Sequence, residues 1–343
     1  MQKAAEINLS TWRDSRRLVR TNAKWFAAAF ALCAGLSAVF ASWLPLQLSI
    51  VSLFLFAGPH NWFEFRYFLS RLPLRFGRSR PFFLIAFSGI GLLTASYLAL
   101  PLLYNLSFWP GGDWSIALAI WNTSMLLWIA VLVHLRGRQK RTGYWSLAFP
   151  VAFLLVSINW MGPQLFSLLI VYVHPLIALW FLDRHLRRTR PEWLATYRRG
   201  LCILPLLILG MYWQLNTAAP IADDNGLFWR ITQHAGSELL PNVSSHLLVS
   251  VHVFLEMLHY GVWIVALTVI GGANRFWQIK SIPLARHERG FPRLIAAMLA
   301  VALIAVILLW VGFAMDYPAT RDLYFSIAMA HVLAEAPFLM RML

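Results

Sequence analysis

From Ser245 to Ile270 the chain reads SHLLVSVHVFLEMLHYGVWIVALTVI. A stretch of this length, without lysine or arginine, can cross the hydrocarbon core of a bilayer as a helix, which takes about 20 apolar residues. Ionisable side chains at that depth are costly and usually functional, yet this stretch carries His252, Glu256 and His259. Their spacing places all three on one face of a helix. The stretch therefore predicts a membrane-spanning helix with a polar, functional stripe.

The whole chain shares this apolar character. Of its 343 residues, 59% are hydrophobic and 13% are charged, whereas charged residues make up about 25% of a soluble domain. We therefore predict an all-α polytopic membrane protein. The two cysteines, Cys33 and Cys202, fall within apolar runs, which excludes a disulfide framework and a thiolate zinc site.

Ten stretches satisfy the length rule for a membrane helix. They cover residues 25–43, 46–69, 81–104, 115–134, 144–161, 163–183, 201–217, 245–270, 293–314 and 322–341. The fifth and seventh are short, so a tilted or partly re-entrant path is an alternative for them.

The basic residues define the predicted topology. Most of the 29 lysines and arginines precede the first span or follow the second, fourth, sixth and eighth, and the opposite loops hold only Arg230 and Arg321. Because cytoplasmic loops are enriched in basic residues, we predict that both termini are cytoplasmic. The net charge of +15 thus reflects topology, and we expect no nucleic acid as a partner.

The same charges suggest two parts of the chain. Residues 1–24 form a basic cytoplasmic N-terminal segment without a signal cleavage site, and its part from Thr11 to Lys24 is predicted to lie on the anionic inner leaflet. Residues 25–343 form a single helical membrane domain. The location we expect is a bacterial inner (plasma) membrane, with membrane lipids as partners.

Three histidine and glutamate pairs stand out within the predicted spans. In each pair the glutamate follows the histidine by four residues, one helical turn, and all three spans run from outside to inside. The pairs are His60 with Glu64, His252 with Glu256, and His331 with Glu335. His259 extends the second pair, and the sixth span adds His174, followed by Pro175, which can kink the helix.

These side chains predict a buried metal site. Carboxylates in lipid need compensation, and one or two divalent cations would neutralise them while imidazoles act as neutral ligands. The predicted metal ligands are His60, His174, His252, Glu256, His259, His331 and Glu335, with Glu64, Glu256 and Glu335 as catalytic residues and Asn61 and Tyr260 lining the pocket or binding a cofactor. Hydrogen-bonded structural couples and a proton relay are the alternatives.

The remaining histidines are predicted to lie outside this site, at the ends of spans or in loops. They are His134, His185, His234, His246 and His287.

Imidazole and carboxylate ligands without thiolates suit iron, manganese or zinc and exclude an iron–sulfur cluster. Iron with open positions supports oxygen activation, and zinc supports hydrolysis. Because the site is predicted within the bilayer, an apolar substrate from the lipid is favoured. We therefore expect a metal-dependent membrane oxidoreductase with a lipophilic substrate; a transporter of metal cations or protons and a haem or quinone protein are the alternatives.

One segment of the second span resembles a known family. Gly58-Pro59-His60-Asn61-Trp62-Phe63-Glu64 is similar to the G-x-P-H-x-x-x-D segment of the bacterial carotene-cleaving Brp/Blh membrane dioxygenases, in which a histidine on a span is an iron ligand. The resemblance implies iron bound at His60. It is confined to this segment, glutamate replaces aspartate at Glu64, no clear H-x-x-x-H pair is present, and the chain has about two spans more.

The same segment also resembles the H-N-x-x-D segment of ZIP-type metal transporters, through His60, Asn61 and Glu64. Their second motif, H-E-x-x-H-E, has no equivalent on the eighth span. The H-x-x-H-H boxes of membrane desaturases and hydroxylases are absent from the sequence.

Overall fold

The computed structural model describes residues 2–105, 114–140, 145, 147–222, 224, 226–272, 276–286 and 290–342, with side chains for residues 23–101 and for the described residues from 114 onward. Within these ranges the chain is helical and contains no strand. The prediction of an all-α polytopic membrane protein is confirmed. The side chains of residues 1–22, most of the predicted N-terminal segment 1–24, lie outside the described part. His287, predicted to lie outside the metal site, also falls there.

The described part of the chain is built from helices in the following order. They are α1 (Gln2–Trp43), α2 (Pro45–Arg71), α3 (Arg80–Asn105), α4 (Trp114–Lys140), α5 (Ala148–Met161), α6 (Pro163–Thr189), α7 (Pro191–Gly200), α8 (Ile203–Leu215), α9 (Leu227–His234), α10 (Ser245–Tyr260), α11 (Leu267–Ile270), α12 (Pro283–Arg286), α13 (Pro292–Met315) and α14 (Tyr317–Met342). A π-helical turn, Gly261–Ala266, joins α10 to α11.

Eight of the ten predicted spans coincide with helices of the described chain that are long and apolar enough to cross a membrane. The other two differ for physical reasons. Helix α5 has only 14 residues, and at 1.5 Å per residue it extends about 21 Å, less than the hydrocarbon core of about 30 Å. Helix α2 is long, but His60, Asn61 and Glu64 interrupt its apolar run. The number of spans and the orientation of the termini stay predictions.

Two compact units divide the chain. Unit 1 comprises Met1–Val51 and Ala178–Ala273, and unit 2 comprises Ser52–Ile177 and Asn274–Leu343. The boundaries therefore fall inside α2 and α6. The division predicted from the sequence, 1–24 and 25–343, stays a prediction.

Hydrogen bonds from aromatic and amide side chains join the helices of unit 2. The indole nitrogen of Trp121 donates to the carbonyl of Leu93 at 3.0 Å, which joins α4 to α3. Buried Asn122 donates through Nδ2 to Oδ1 of Asn159 at 2.8 Å and to Oγ of Ser167 at 3.1 Å. Since buried polar groups need partners in an apolar medium, this network fixes α4, α5 and α6 together.

In unit 1, α7 packs against the end of α6. The hydroxyl of Tyr197 donates to the carbonyl of Leu179 at 2.8 Å. The guanidinium of Arg198 donates to both oxygens of Asp183, at 2.7 and 3.1 Å. The bidentate pair fixes the direction in which the chain turns between the two helices.

Candidate metal centre

The second helix brings His60 into unit 2 through an unusually close helix contact. A Cβ added at Gly58 would lie 2.9 Å from Cγ1 of Val306, so glycine at this position lets α2 approach α13. Nδ1 of His60 donates to the carbonyl of Phe56 at 3.0 Å. In the neutral ring this leaves the lone pair on Nε2, which is the arrangement common in metal-binding histidines.

Prolines lie within three helices that carry predicted site residues, α2, α6 and α14. Pro59 precedes His60 in α2, Pro175 follows His174 in α6, and Pro337 lies two residues after Glu335 in α14. A proline inside a helix removes one backbone hydrogen bond and bends the chain. In membrane helices such interruptions are tolerated where neighbouring groups satisfy the backbone. The prolines therefore lie within two residues of His60, His174 and Glu335.

His174 lies between the two members of the α14 pair. Its Nδ1 is 3.0 Å from Oε2 of Glu335, and its Nε2 is 3.2 Å from Nε2 of His331. A proton on Nδ1 would make this contact to a carboxylate favourable and would leave the lone pair on Nε2 in the neutral ring. The sequence predicted a pair within α14; the structure places the histidine of α6 as a bridge.

His331 connects this bridge to α2. Its ring packs edge-to-face on that of His60, with centroids 5.3 Å apart. The ligand atoms of His60, Glu64 and His331 lie within 4.8 Å of one another. We call His60, Glu64, His174, His331 and Glu335 the unit 2 cluster. Three helices thus present three imidazoles and two carboxylates to one small region.

Glu64 is the member of the cluster whose environment demands an explanation. Glu64 is 1% exposed, and no described residue makes a hydrogen bond to either of its carboxylate oxygens. A charged carboxylate buried in that way costs several kcal/mol unless it takes up a proton or binds a cation. A cation bound beside Glu64 would compensate the buried charge, so the site fits a bound cation.

The distance between the two facing nitrogens is also compatible with a shared metal. Two nitrogens bound at about 2.0–2.1 Å in a tetrahedral site lie roughly 3.3 Å apart. His174 and His331 place their Nε2 atoms 3.2 Å apart. A hydrogen bond between the rings gives a similar distance, so this geometry admits a proton as well as a metal ion.

The nearest arginine in the sequence serves another purpose. Nη2 of Arg66 donates to the carbonyls of Phe276 and Gln278, at 2.8 and 3.1 Å, and to Oγ of Ser281 at 2.7 Å. Its guanidinium lies over the ring of Phe276, 5.1 Å from the centroid. Arg66 therefore anchors the segment 276–281 to α2.

Asn61, predicted to bind a cofactor or line the pocket, contacts a residue that the sequence did not single out. Its Nδ2 donates to the hydroxyl of Tyr324 at 3.4 Å. Tyr324 lies seven residues, about two turns, before His331 on α14 and hence on the same face. Applying the helical period upstream of His331 would have found it.

Unit 1 holds the other predicted ligands. Within α10, Nδ1 of His252 is 3.8 Å from Oε2 of Glu256, and the ring of His234 on α9 packs edge-to-face on that of His252, with centroids 5.1 Å apart. His259 is 2% exposed and contacts the rings of Tyr260 and Trp263, with centroids 6.1 and 6.4 Å away. The predicted roles of His252, Glu256, His259 and Tyr260 stay predictions.

The histidines predicted to lie outside the site have other contacts. His134 packs against the ring of Phe149, with centroids 5.4 Å apart. Nε2 of His246 donates to the carbonyl of Ser42 at 2.9 Å. His185 is 5% exposed.

Comparison with known proteins gives no match, since no family model, curated protein or solved structure is significantly similar to this chain. The function must therefore be inferred from the site itself.

Proposed function

We propose that this protein is a metal-dependent membrane oxidoreductase that acts on a lipophilic substrate. The observation that carries the proposal is Glu64, a buried carboxylate without a hydrogen-bond donor in the described chain, beside His60 and His331. A bound cation would offset the cost of burying that charge.

The donor set supports a transition metal. Imidazoles and carboxylates without thiolates suit iron, zinc or manganese, and the five donors are enough for one ion or for two that share ligands. His60, Glu64, His174, His331 and Glu335 would hold the metal. Bound iron with open positions would supply oxygen activation. We favour iron for this reason.

Contacts within the protein orient two of the proposed histidine ligands, His60 and His174. The Phe56 carbonyl accepts the hydrogen bond of Nδ1 of His60, and a carboxylate oxygen of Glu335 lies 3.0 Å from Nδ1 of His174. Each contact fixes the orientation of the ring and presents Nε2 as the ligand atom. Of His174 and Glu335, the histidine is the more accessible, with 14% of its side chain exposed against 0% for the glutamate.

The location supports a lipophilic substrate. The three helices of the cluster are embedded in apolar sequence, and α6 and α14 meet the requirements for membrane spans. A molecule dissolved in the hydrocarbon reaches such a site without crossing water. Lipids, isoprenoids, carotenoids and quinones are the candidates.

Metal analysis of the purified full-length protein tests the proposal. We expect one or two iron ions per chain by mass spectrometry and a visible spectrum without haem bands. His60→Ala and His331→Ala should retain less than about a tenth of the metal, because losing a ligand weakens binding by at least the 10–100-fold seen for supporting residues.

His134→Ala is the matched control, since His134 lies in the same unit and outside the cluster. It should retain the metal. A folded wild-type protein that contains no transition metal, or variants that retain it in full, would overturn the proposal. Haem bands lost with His60 would instead identify the haem alternative.

A transporter of cations or protons is the second candidate, and one observation favours it. Glu335, His174 and His331 form a chain of titratable groups with steps of 3.0 and 3.2 Å, short enough for proton transfer. A transported ion must exchange, so metal lost within minutes to a chelator, with flux into proteoliposomes that stops in His174→Ala, would favour transport. Retained metal and absent flux would favour the enzyme.

A further inference from the structure

Unit 1 contains a cavity that the metal centre does not use. Its volume is about 490 Å³, within the range of about 300–1,000 Å³ found for small-molecule sites. The walls come from α1, the start of α7, and the chain from Met257 to Ile270. Among the described residues that line it, nearly all side chains are apolar and Arg190 is the only charged one.

The cavity has the depth of one bilayer leaflet. Along α1 its lining extends from Trp25 to Ser37, a rise of about 18 Å at 1.5 Å per residue. Half of the hydrocarbon core is about 15 Å thick. One acyl chain that follows α1 therefore matches this length.

One end of the cavity has the chemistry of a membrane interface. Arg190 is exposed at the junction of α6 and α7, and its guanidinium lies over the ring of Trp193, 5.6 Å from the centroid. Trp193 in turn stacks on Phe26 with centroids 5.2 Å apart. Arginine and tryptophan favour the headgroup level of a bilayer. A phosphate there would be paired with a cation.

The opposite wall is shaped by the π-helical turn. Gly261, Val262, Val265 and Ala266, four residues of this turn, line the cavity. A Cβ added at Gly261 would have no atom within 4 Å, so the missing side chain leaves space. π-helical turns are rare and frequently lie at functional sites.

We propose that this cavity binds an anionic phospholipid of the bilayer, with one acyl chain along α1 and the phosphate at Arg190. The charge of Arg190 selects an anionic headgroup, and the apolar wall accepts the chain. The inference does not depend on the metal centre and concerns a separate site in unit 1.

Native mass spectrometry of the purified full-length protein tests the proposal with two lipids, dioleoyl phosphatidylglycerol and dioleoyl phosphatidylcholine. The wild type should bind one phosphatidylglycerol about fivefold more tightly than phosphatidylcholine, because one basic residue near the surface contributes about that factor. Arg190→Gln should remove this preference. Arg187→Gln, which changes an exposed arginine outside the lining, should keep it.

Filling the cavity tests the position of the acyl chain. Gly261→Leu should weaken the binding of both lipids about tenfold, which corresponds to roughly two displaced CH₂ groups. Gly210→Leu is the matched control, because a Cβ at Gly210 also meets no atom within 4 Å and the residue is not part of the lining. Its affinities should equal those of the wild type.

The two native cysteines give a test that needs no variant. Cys33 lines the cavity, whereas Cys202, also exposed, does not. Phosphatidylglycerol should slow labelling of Cys33 by N-ethylmaleimide and leave Cys202 unchanged. Equal effects on both cysteines, equal lipid preference in Arg190→Gln and Arg187→Gln, or unchanged binding in Gly261→Leu would each overturn the proposal.

Discussion

The two units use one sequence pattern in different ways. In α10 the histidine and glutamate four residues apart contact each other, with 3.8 Å between His252 and Glu256. In α14 the same spacing separates His331 from Glu335, and both turn to His174 on another helix. The spacing therefore determines which side chains share a helix face. Packing between helices determines which of them become partners.

The helices also differ in how they are interrupted. Prolines lie within the three helices of the unit 2 cluster, whereas a π-helical turn follows the polar residues of α10. Both devices disturb the regular backbone next to ionisable side chains. Only the prolines can be read from the sequence.

Removal of His174 should have the largest effect on stability. Glu335 is 0% exposed, and breaking a buried pair by deleting one partner costs about 3–5 kcal/mol. We therefore expect His174→Leu to lower the free energy of unfolding by about 3 kcal/mol. Denaturant titration in a fixed detergent measures it.

The corresponding change in unit 1, His252→Leu, should cost less, about 1 kcal/mol, because Nδ1 of His252 lies 3.8 Å from Oε2 of Glu256, beyond hydrogen-bonding distance. Equal losses in the two variants would break the distinction between the interhelical bridge and the intrahelical pair.

The two carboxylates of the unit 2 cluster should respond with opposite signs. In metal-depleted protein, Glu64→Leu should raise the free energy of unfolding by about 1–3 kcal/mol, since it replaces a buried group without a hydrogen-bond donor among the described residues by an apolar one. Glu335→Leu should lower it, because it removes the partner of His174. Thermal unfolding after chelation gives both values.

A loss of stability in Glu64→Leu would show that the carboxylate has a structural partner. That result would remove the main support for a cation at this position.

The smallest expected effect is the loss of metal on substitution of His252 in unit 1. Because His252 contacts Glu256 and the ring of His234, we expect His252→Ala to retain most of the metal. Metal analysis beside the His60→Ala variant measures this. Complete loss of the metal from His252→Ala would show that His252 is a metal ligand, as the sequence predicts.

Much of this organisation follows from the sequence, and the exceptions have physical causes. Apolar runs of sufficient length identified the helices, but the polar residues of the site itself interrupt α2. The period of the helix placed His60 with Glu64 and His331 with Glu335 on common faces. It could not show that His174 bridges His331 and Glu335, because that contact joins residues 157 positions apart.

The most direct test of the metal centre is X-ray absorption at the metal edge of the purified wild-type protein. The proposed ligands predict a nitrogen and oxygen shell at about 2.0–2.2 Å, with the outer scattering of imidazole rings and no sulfur. Absence of a metal edge in folded protein, or a shell of sulfur atoms, would contradict the assignment of His60, Glu64, His174, His331 and Glu335 as a metal site.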